Sequence, residues 1–115
     1  MMESEPPGIT VDIAPYGAMK VYAPETDRDL LSFVEGSWTE LWPSVRTKLE
    51  AMCVFSDVSE HLKNPEWIAA IQRIEPDVFM GDKAELLFSV RLGETRPEWD
   101  FFLNGVAIIH SQPVY

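Results

Sequence analysis

The last segment of the chain holds the polar residues whose types could do chemistry. Asp100, His110 and Gln112 stand among hydrophobic residues between Glu98 and Tyr115. A carboxylate beside an imidazole is a common arrangement for proton transfer. Whether these groups can meet depends on the register of the hairpin that contains them.

The dipeptide Asn104-Gly105 is typical of two-residue hairpin turns, and it predicts that register. With this dipeptide as the loop, Trp99 lies opposite His110, and the imidazole can lie flat on the indole. Asp100 and His110 then point to opposite faces, which excludes a dyad between them. We therefore interpret both as polar groups of a small sheet.

No other motif in the chain names a reaction. His61 and His110 are the two histidines, and neither HxxxH nor HExxH spacing occurs. The single cysteine, Cys53, falls on a helical apolar stripe and is interpreted as a buried hydrophobe. Esterase and dinucleotide-binding motifs are missing from the sequence. We predict no catalytic residue, no metal and no cofactor.

Four tryptophans, Trp38, Trp42, Trp67 and Trp99, are many for 115 residues. One interpretation is a core rich in aromatic side chains. The other is that Trp38 or Trp42 lines an open groove or an interface, since tryptophan is enriched in binding hot spots.

Periodic apolar residues predict the elements that would carry these side chains. Residues 1–8 are interpreted as a disordered leader, and alternation from Ile9 to Val21 predicts an N-terminal hairpin. Spacings of three and four predict a helical middle that ends at Gly36, resumes at Ser37 and is interrupted at Pro43.

The second half of the chain predicts mostly strands. Residues 65–75 fit either a helix or a strand, so both stay open. Leu86 to Leu92 is a clear strand, and the C-terminal hairpin follows it. We predict one α+β domain over residues 9–115: an antiparallel sheet of about four to six strands, with an N-terminal hairpin and a C-terminal meander, packed against a central helical segment.

Charge narrows the classes of partner. The chain carries a net charge of −10 and has a pI near 4.5, opposite in sign to what nucleic-acid binding requires and unfavourable on an anionic membrane. No basic and apolar leader resembles a signal peptide, and no apolar run reaches the roughly 18 residues of a membrane span. We expect a cytoplasmic protein.

Apolar residues occupy both faces of the C-terminal hairpin, which predicts a homodimer through the sheet. The leading hypothesis is a non-enzymatic protein-binding module, such as an inhibitor or immunity-type protein for a basic partner. The alternative is a small-molecule-binding or enzymatic domain with a pocket between sheet and helices, using Tyr22, Trp99, Asp100 and His110. The candidate binding residues are Trp38, Trp42, Trp99, Asp100, Phe102, Ile109 and His110.

Overall fold

Six strands form one sheet, and one long helix packs on one of its faces. A computed structural model describes residues 7–52, 54, 66–75, 84–92 and 98–114. The α+β prediction is confirmed, including the strand number. The elements are β1 (Gly8–Asp12), β2 (Ala18–Tyr22), a 3-10 turn (Glu25–Asp27), α1 (Asp29–Ala51), β3 (Trp67–Arg73), β4 (Leu86–Leu92), β5 (Glu98–Asn104) and β6 (Ala107–Val114).

The strands lie in the sheet in chain order, with β1 and β6 at the two edges of the described sheet. Every neighbouring pair is antiparallel except β2 and β3, which are parallel. The helix explains that exception, because a crossover between parallel neighbours needs a connection of a dozen or more residues, and α1 lies within it. Gly8, assigned to the leader from the sequence, is the first residue of β1.

The segment that fitted either a helix or a strand is a strand. In β3, Trp67, Ala69 and Ile71 are buried, in a period of two. They pair in register with Leu92, Val90 and Phe88 of β4. Burial on this face therefore decides the conformation.

The helical middle is one continuous helix of 23 residues, so the predicted end at Gly36 is wrong. A helical glycine costs about 1 kcal/mol relative to alanine, whereas each fully buried aliphatic side chain contributes about 1.5–3 kcal/mol. Pro43 also lies inside the helix, where the Thr47 hydroxyl donates a hydrogen bond of 2.8 Å to the Pro43 carbonyl. Tertiary packing outweighs both helix breakers through the buried stripe of Leu30, Leu31, Val34, Trp38, Leu41, Val45 and Leu49.

The space between α1 and the sheet is filled by apolar side chains. Leu41, Val45, Phe88 and Phe101 are each fully buried there. The rings of Phe88 and Phe101 are 6.5 Å apart, and the Trp38 ring lies 6.0 Å from Phe88. The described side chains between helix and sheet thus form an apolar core.

Candidate functional site: the open face of the sheet

The sheet face opposite α1, here called the open face, has no described element packed on it. Alternation along each strand identifies its side chains. On the three central strands they include Ile68, Ala70 and Gln72 of β3, Leu87, Ser89 and Arg91 of β4, and Glu98, Asp100 and Phe102 of β5. This face is the candidate site, since the other is occupied by the core.

The C-terminal hairpin has a different register from the one predicted. Asn104 pairs with Ala107, so the two loop residues are Gly105 and Val106. Gly105 has φ +58°, in the left-handed region that favours glycine. The pairing therefore starts one residue later than the Asn-Gly signal suggested, and the predicted register is wrong.

We expect Gly105→Val to destabilise the protein by roughly 1–3 kcal/mol, because a β-branched residue resists a positive φ. An added Cβ at this position meets no atom within 4 Å, so the cost comes from the backbone alone. Gly105→Asn is the matched control, since asparagine tolerates this conformation. Thermal melting of the three proteins measures the effect, and a valine variant that melts like the parent would contradict the assigned turn.

A β-bulge then brings Asp100 and His110 to the same face. The register shifts beside Phe102 and Leu103, so that Leu103 pairs with Ile108 and Phe102 with His110. Ile109 is the extra residue of the bulge. Bulges re-aim side chains in this way. The predicted separation of Asp100 and His110 on opposite faces is therefore wrong, as is the contact of His110 with Trp99.

His110 is exposed and contacts its neighbours on the open face. Its ring centroid lies 5.8 Å from that of Phe102. Its Nε2 is 3.3 Å from Oε1 of Gln112, which in turn pairs with Asp100 across the strands. Gln112 is thus the side-chain neighbour of His110 and the cross-strand neighbour of Asp100.

Asp100 is the most unusual group on this face. It is 9% exposed, the one buried charged residue in the described chain, and its Oδ1 has no hydrogen-bond partner. Its cross-strand neighbours are Ser89 on β4 and Gln112 on β6. Because buried polar atoms in native proteins are nearly always hydrogen-bonded, such an atom calls for an explanation.

Apolar side chains flank Asp100 on the open face. Phe102 and Leu87 are half-buried and pair directly across β5 and β4. Ile109 is 38% exposed, the one large hydrophobic side chain classed as exposed in the described chain. We call the group of Leu87, Asp100, Phe102, Ile109, His110 and Gln112 the β5–β6 patch.

The three tryptophans among the candidate binding residues lie elsewhere. Trp38 is buried, and its indole N–H donates a 2.7 Å hydrogen bond to the carbonyl of Asp12. Trp42 stacks on Trp38 at 5.7 Å and donates to the carbonyl of Ala14 at 3.3 Å. Both thus hold the β1–β2 turn against the helix.

Trp99 is buried on the core face of β5, 6.2 Å from the ring of Trp67. Four of the seven candidate binding residues therefore lie together in the β5–β6 patch: Asp100, Phe102, Ile109 and His110.

A second polar cluster ties the same turn to the helix. The Tyr16 hydroxyl donates a 2.6 Å hydrogen bond to Glu50 Oε2, and Arg46 Nε lies 3.3 Å from the same oxygen. The hydrogen bond from Tyr16, with help from Arg46, lowers the pKa of Glu50. The same bond raises the pKa of Tyr16. All three groups are engaged with each other at the surface, so the cluster is structural.

We expect Tyr16→Phe to raise the pKa of Glu50 towards its ordinary value, because the largest cause of its depression is removed. A carboxyl with a depressed folded pKa contributes stability above its unfolded pKa and loses it as pH falls through the folded value. The variant should therefore lose less stability on acidification. Carboxyl NMR titration of both proteins measures the pKa of Glu50, and an unchanged Glu50 curve would contradict the assignment.

Two of the residues considered from the sequence, Cys53 and His61, lie outside the described residues. Within the described ranges, no three His, Cys, Asp or Glu side chains are grouped closely enough to hold a metal ion. No helix in the same part of the chain has both the length and the apolar character needed to cross a bilayer.

A groove that the sequence did not reveal lies on the open face beside the β5–β6 patch. It has a volume of about 780 Å³ and lies over β2, β3 and β4. Lys20, Tyr22 and Arg91 are among its lining residues. Its formation depends on the parallel pairing of β2 with β3, which no local sequence signal indicates.

No protein-family model, curated protein or solved structure matches this chain significantly.

Proposed function

We propose that the protein is a non-enzymatic binding module of the cytoplasm whose β5–β6 patch docks a basic segment of another protein. The observation that carries this proposal is the buried Oδ1 of Asp100, which has no hydrogen-bond partner, on a sheet face with no described covering element. The partner would present an arginine or lysine flanked by apolar residues.

Hydrogen-bond chemistry supports a cationic partner group. A buried acceptor without a donor costs on the order of 1–3 kcal/mol, and more when it is charged. An arginine guanidinium supplies five N–H donors and forms short, charge-assisted bonds with carboxylates. Binding would thus satisfy an atom that the free protein leaves unsatisfied.

The surroundings of Asp100 suit the rest of such a side chain. Arginine and lysine lay their aliphatic stems on apolar surface, which Leu87, Phe102 and Ile109 supply. The net charge of −10 would also attract a basic protein from a distance. The patch and the overall charge therefore favour the same partner chemistry.

The homodimer predicted from the sequence is less favourable on this face. A second copy would bring its own net charge of −10 and its own Asp100 to the contact. Pairing edge to edge through β6 is also disfavoured, because Pro113 lacks a backbone N–H and the bulge at Ile109 interrupts the ladder. We therefore propose a basic partner for this face in place of a second copy of the chain.

Sedimentation at moderate salt tests whether a second copy of the chain, and not a basic partner, occupies this face. We expect a monomer whose mass is unaffected by Phe102→Asp. A dimer that this substitution dissociates would overturn the proposal of a basic partner and assign the face to a second copy of the chain.

Selection from a library of random short peptides tests the proposal itself. The wild-type protein is the bait, and the affinity of each recovered peptide is then measured for wild type and for Asp100→Asn, which keeps the shape but removes the charge. We expect recovered peptides to carry arginine or lysine beside an apolar residue and to perturb NMR signals of β5 and β6. Recovery of no binders, or of binders that keep their affinity for Asp100→Asn, would overturn the proposal.

A further inference from the structure

We propose that the groove over β2, β3 and β4 is a second binding site, for a small organic anion whose carboxylate or phosphate lies between Lys20 and Arg91. This site is independent of the β5–β6 patch and of the protein partner proposed for it. Its ligand would carry an apolar body that lies on the floor of the groove.

The strand register places the two cations on either side of one apolar residue. Lys20 pairs with Ile68 across β2 and β3, and Ile68 pairs with Arg91 across β3 and β4. Two strand spacings separate the backbones of Lys20 and Arg91 by about 9.6 Å. Long side chains from both positions can reach one anion held above Ile68.

Neither cation of the groove forms an ion pair with a described lining residue. Lys20 and Arg91 are exposed, and no ion pair joins either of them to a described residue. The Lys20 ammonium lies 5.9 Å from the ring centroid of Tyr22, a contact that keeps its charge near the groove. The chain has 19 acidic and 9 basic side chains, so the pair of lysine and arginine side chains in this groove has the sign opposite to the net charge of the protein.

Apart from the acidic Glu98, the remaining lining supplies an apolar floor and neutral polar groups. Ile68 and Ala70 form part of the floor, and Gln72 and Ser89 offer uncharged hydrogen-bonding groups. A volume of about 780 Å³ is in the range of small-molecule sites, which combine apolar walls with a few polar groups. The side chains that line the groove therefore suit a ligand in which an anionic group is joined to an apolar or aromatic body.

Acidic groups oppose an anion here, but their effect is limited. Glu98 lines the groove and pairs with Arg91 across β4 and β5, on the side of Arg91 away from Ile68, so the two cations leave one net positive charge among the three groups. The net charge of −10 acts mostly from beyond the groove, and at physiological salt the Debye length is about 8 Å. The two nearby cations therefore determine the local preference.

NMR titration of the full chain with four probes tests the site. Benzoate and phenyl phosphate carry both the charge and the apolar ring and distinguish carboxylate from phosphate; benzamide lacks the charge and inorganic phosphate lacks the ring. We expect saturable binding of at least one aromatic anion with a Kd on the order of 1 mM. Signals of β2, β3 and β4 should shift, and benzamide and inorganic phosphate should bind more weakly.

Substitutions then assign the binding to these side chains. Lys20→Gln and Arg91→Gln should each weaken it by about tenfold, the loss expected for a hydrogen bond to a charged group. Lys48→Gln, the same charge change at an exposed position of α1, is the matched control, and Asp100→Asn should not weaken binding at all. Three results would overturn the proposal. They are an affinity for benzamide equal to that for benzoate, a loss of affinity in Lys48→Gln equal to that in the groove variants, and failure of both aromatic anions to reach saturation.

Discussion

Replacing Phe88 with alanine is expected to destabilise the protein by about 3–5 kcal/mol, the cost of truncating a buried aromatic side chain. Phe88 is fully buried at the centre of β4, with its ring against those of Trp38 and Phe101. Since small domains are stable by about 5–15 kcal/mol, this single change removes a large share of the total. Chemical denaturation of wild type and variant measures the loss.

The adjacent residue provides a control for which sheet face is the core. Leu87 lies on the open face of the same strand and is half-buried. We expect Leu87→Ala to cost on the order of 1 kcal/mol, the typical value for a point substitution. Equal losses for the two variants would mean that both faces are packed, which would contradict an open recognition surface.

Asp100→Leu is expected to stabilise the free protein by about 1–3 kcal/mol, because it removes a buried acceptor without a donor and adds apolar surface. Most substitutions destabilise a protein, so an increase in the free energy of unfolding after substitution at a buried position is a distinctive result. The same variant should lose binding of a basic partner. A group that lowers stability while serving recognition is expected at functional sites.

Glu35→Leu is the matched control for this prediction. Glu35 is exposed on α1 and loses the same charge on substitution. Its free energy of unfolding should change by no more than about 0.5 kcal/mol. If Asp100→Leu instead destabilises the protein, Asp100 has a structural partner. A role in recognition is then not needed to explain why a carboxylate is buried at this position.

Local periodicity is sufficient to predict the helix and most of the strands, but it does not predict which strands pair over long range. The stripe from Leu30 to Leu49 and the alternation of β4 are visible in the sequence because each repeats within a few residues. The local preference of Gly36 predicts a helix end, whereas the core that outweighs this preference is assembled from strands distant in the chain. The α+β class follows from such patterns, but the parallel pairing of β2 with β3 does not.

The candidate site was predicted in part. The sequence identifies Asp100, Phe102, Ile109 and His110, but the bulge at Ile109 decides whether Asp100 and His110 share a face. Trp38 and Trp42 were ambiguous because their hydrogen-bond acceptors, in the β1–β2 turn, are 26 and 28 residues away in the chain. Lys20 and Arg91 gave no local signal, since only the register brings them to either side of Ile68.

A double-mutant cycle between Asp100 and a partner arginine tests the central claim most directly. An arginine peptide recovered by the selection is compared with its citrulline analogue, which keeps the shape but lacks the charge, on wild type and on Asp100→Asn. The account predicts that citrulline weakens binding to wild type by about tenfold or more, as expected for a charge-assisted bond, and changes binding to Asp100→Asn by less than about twofold. An equal loss on both proteins would show that the arginine does not bind Asp100 and would contradict the account.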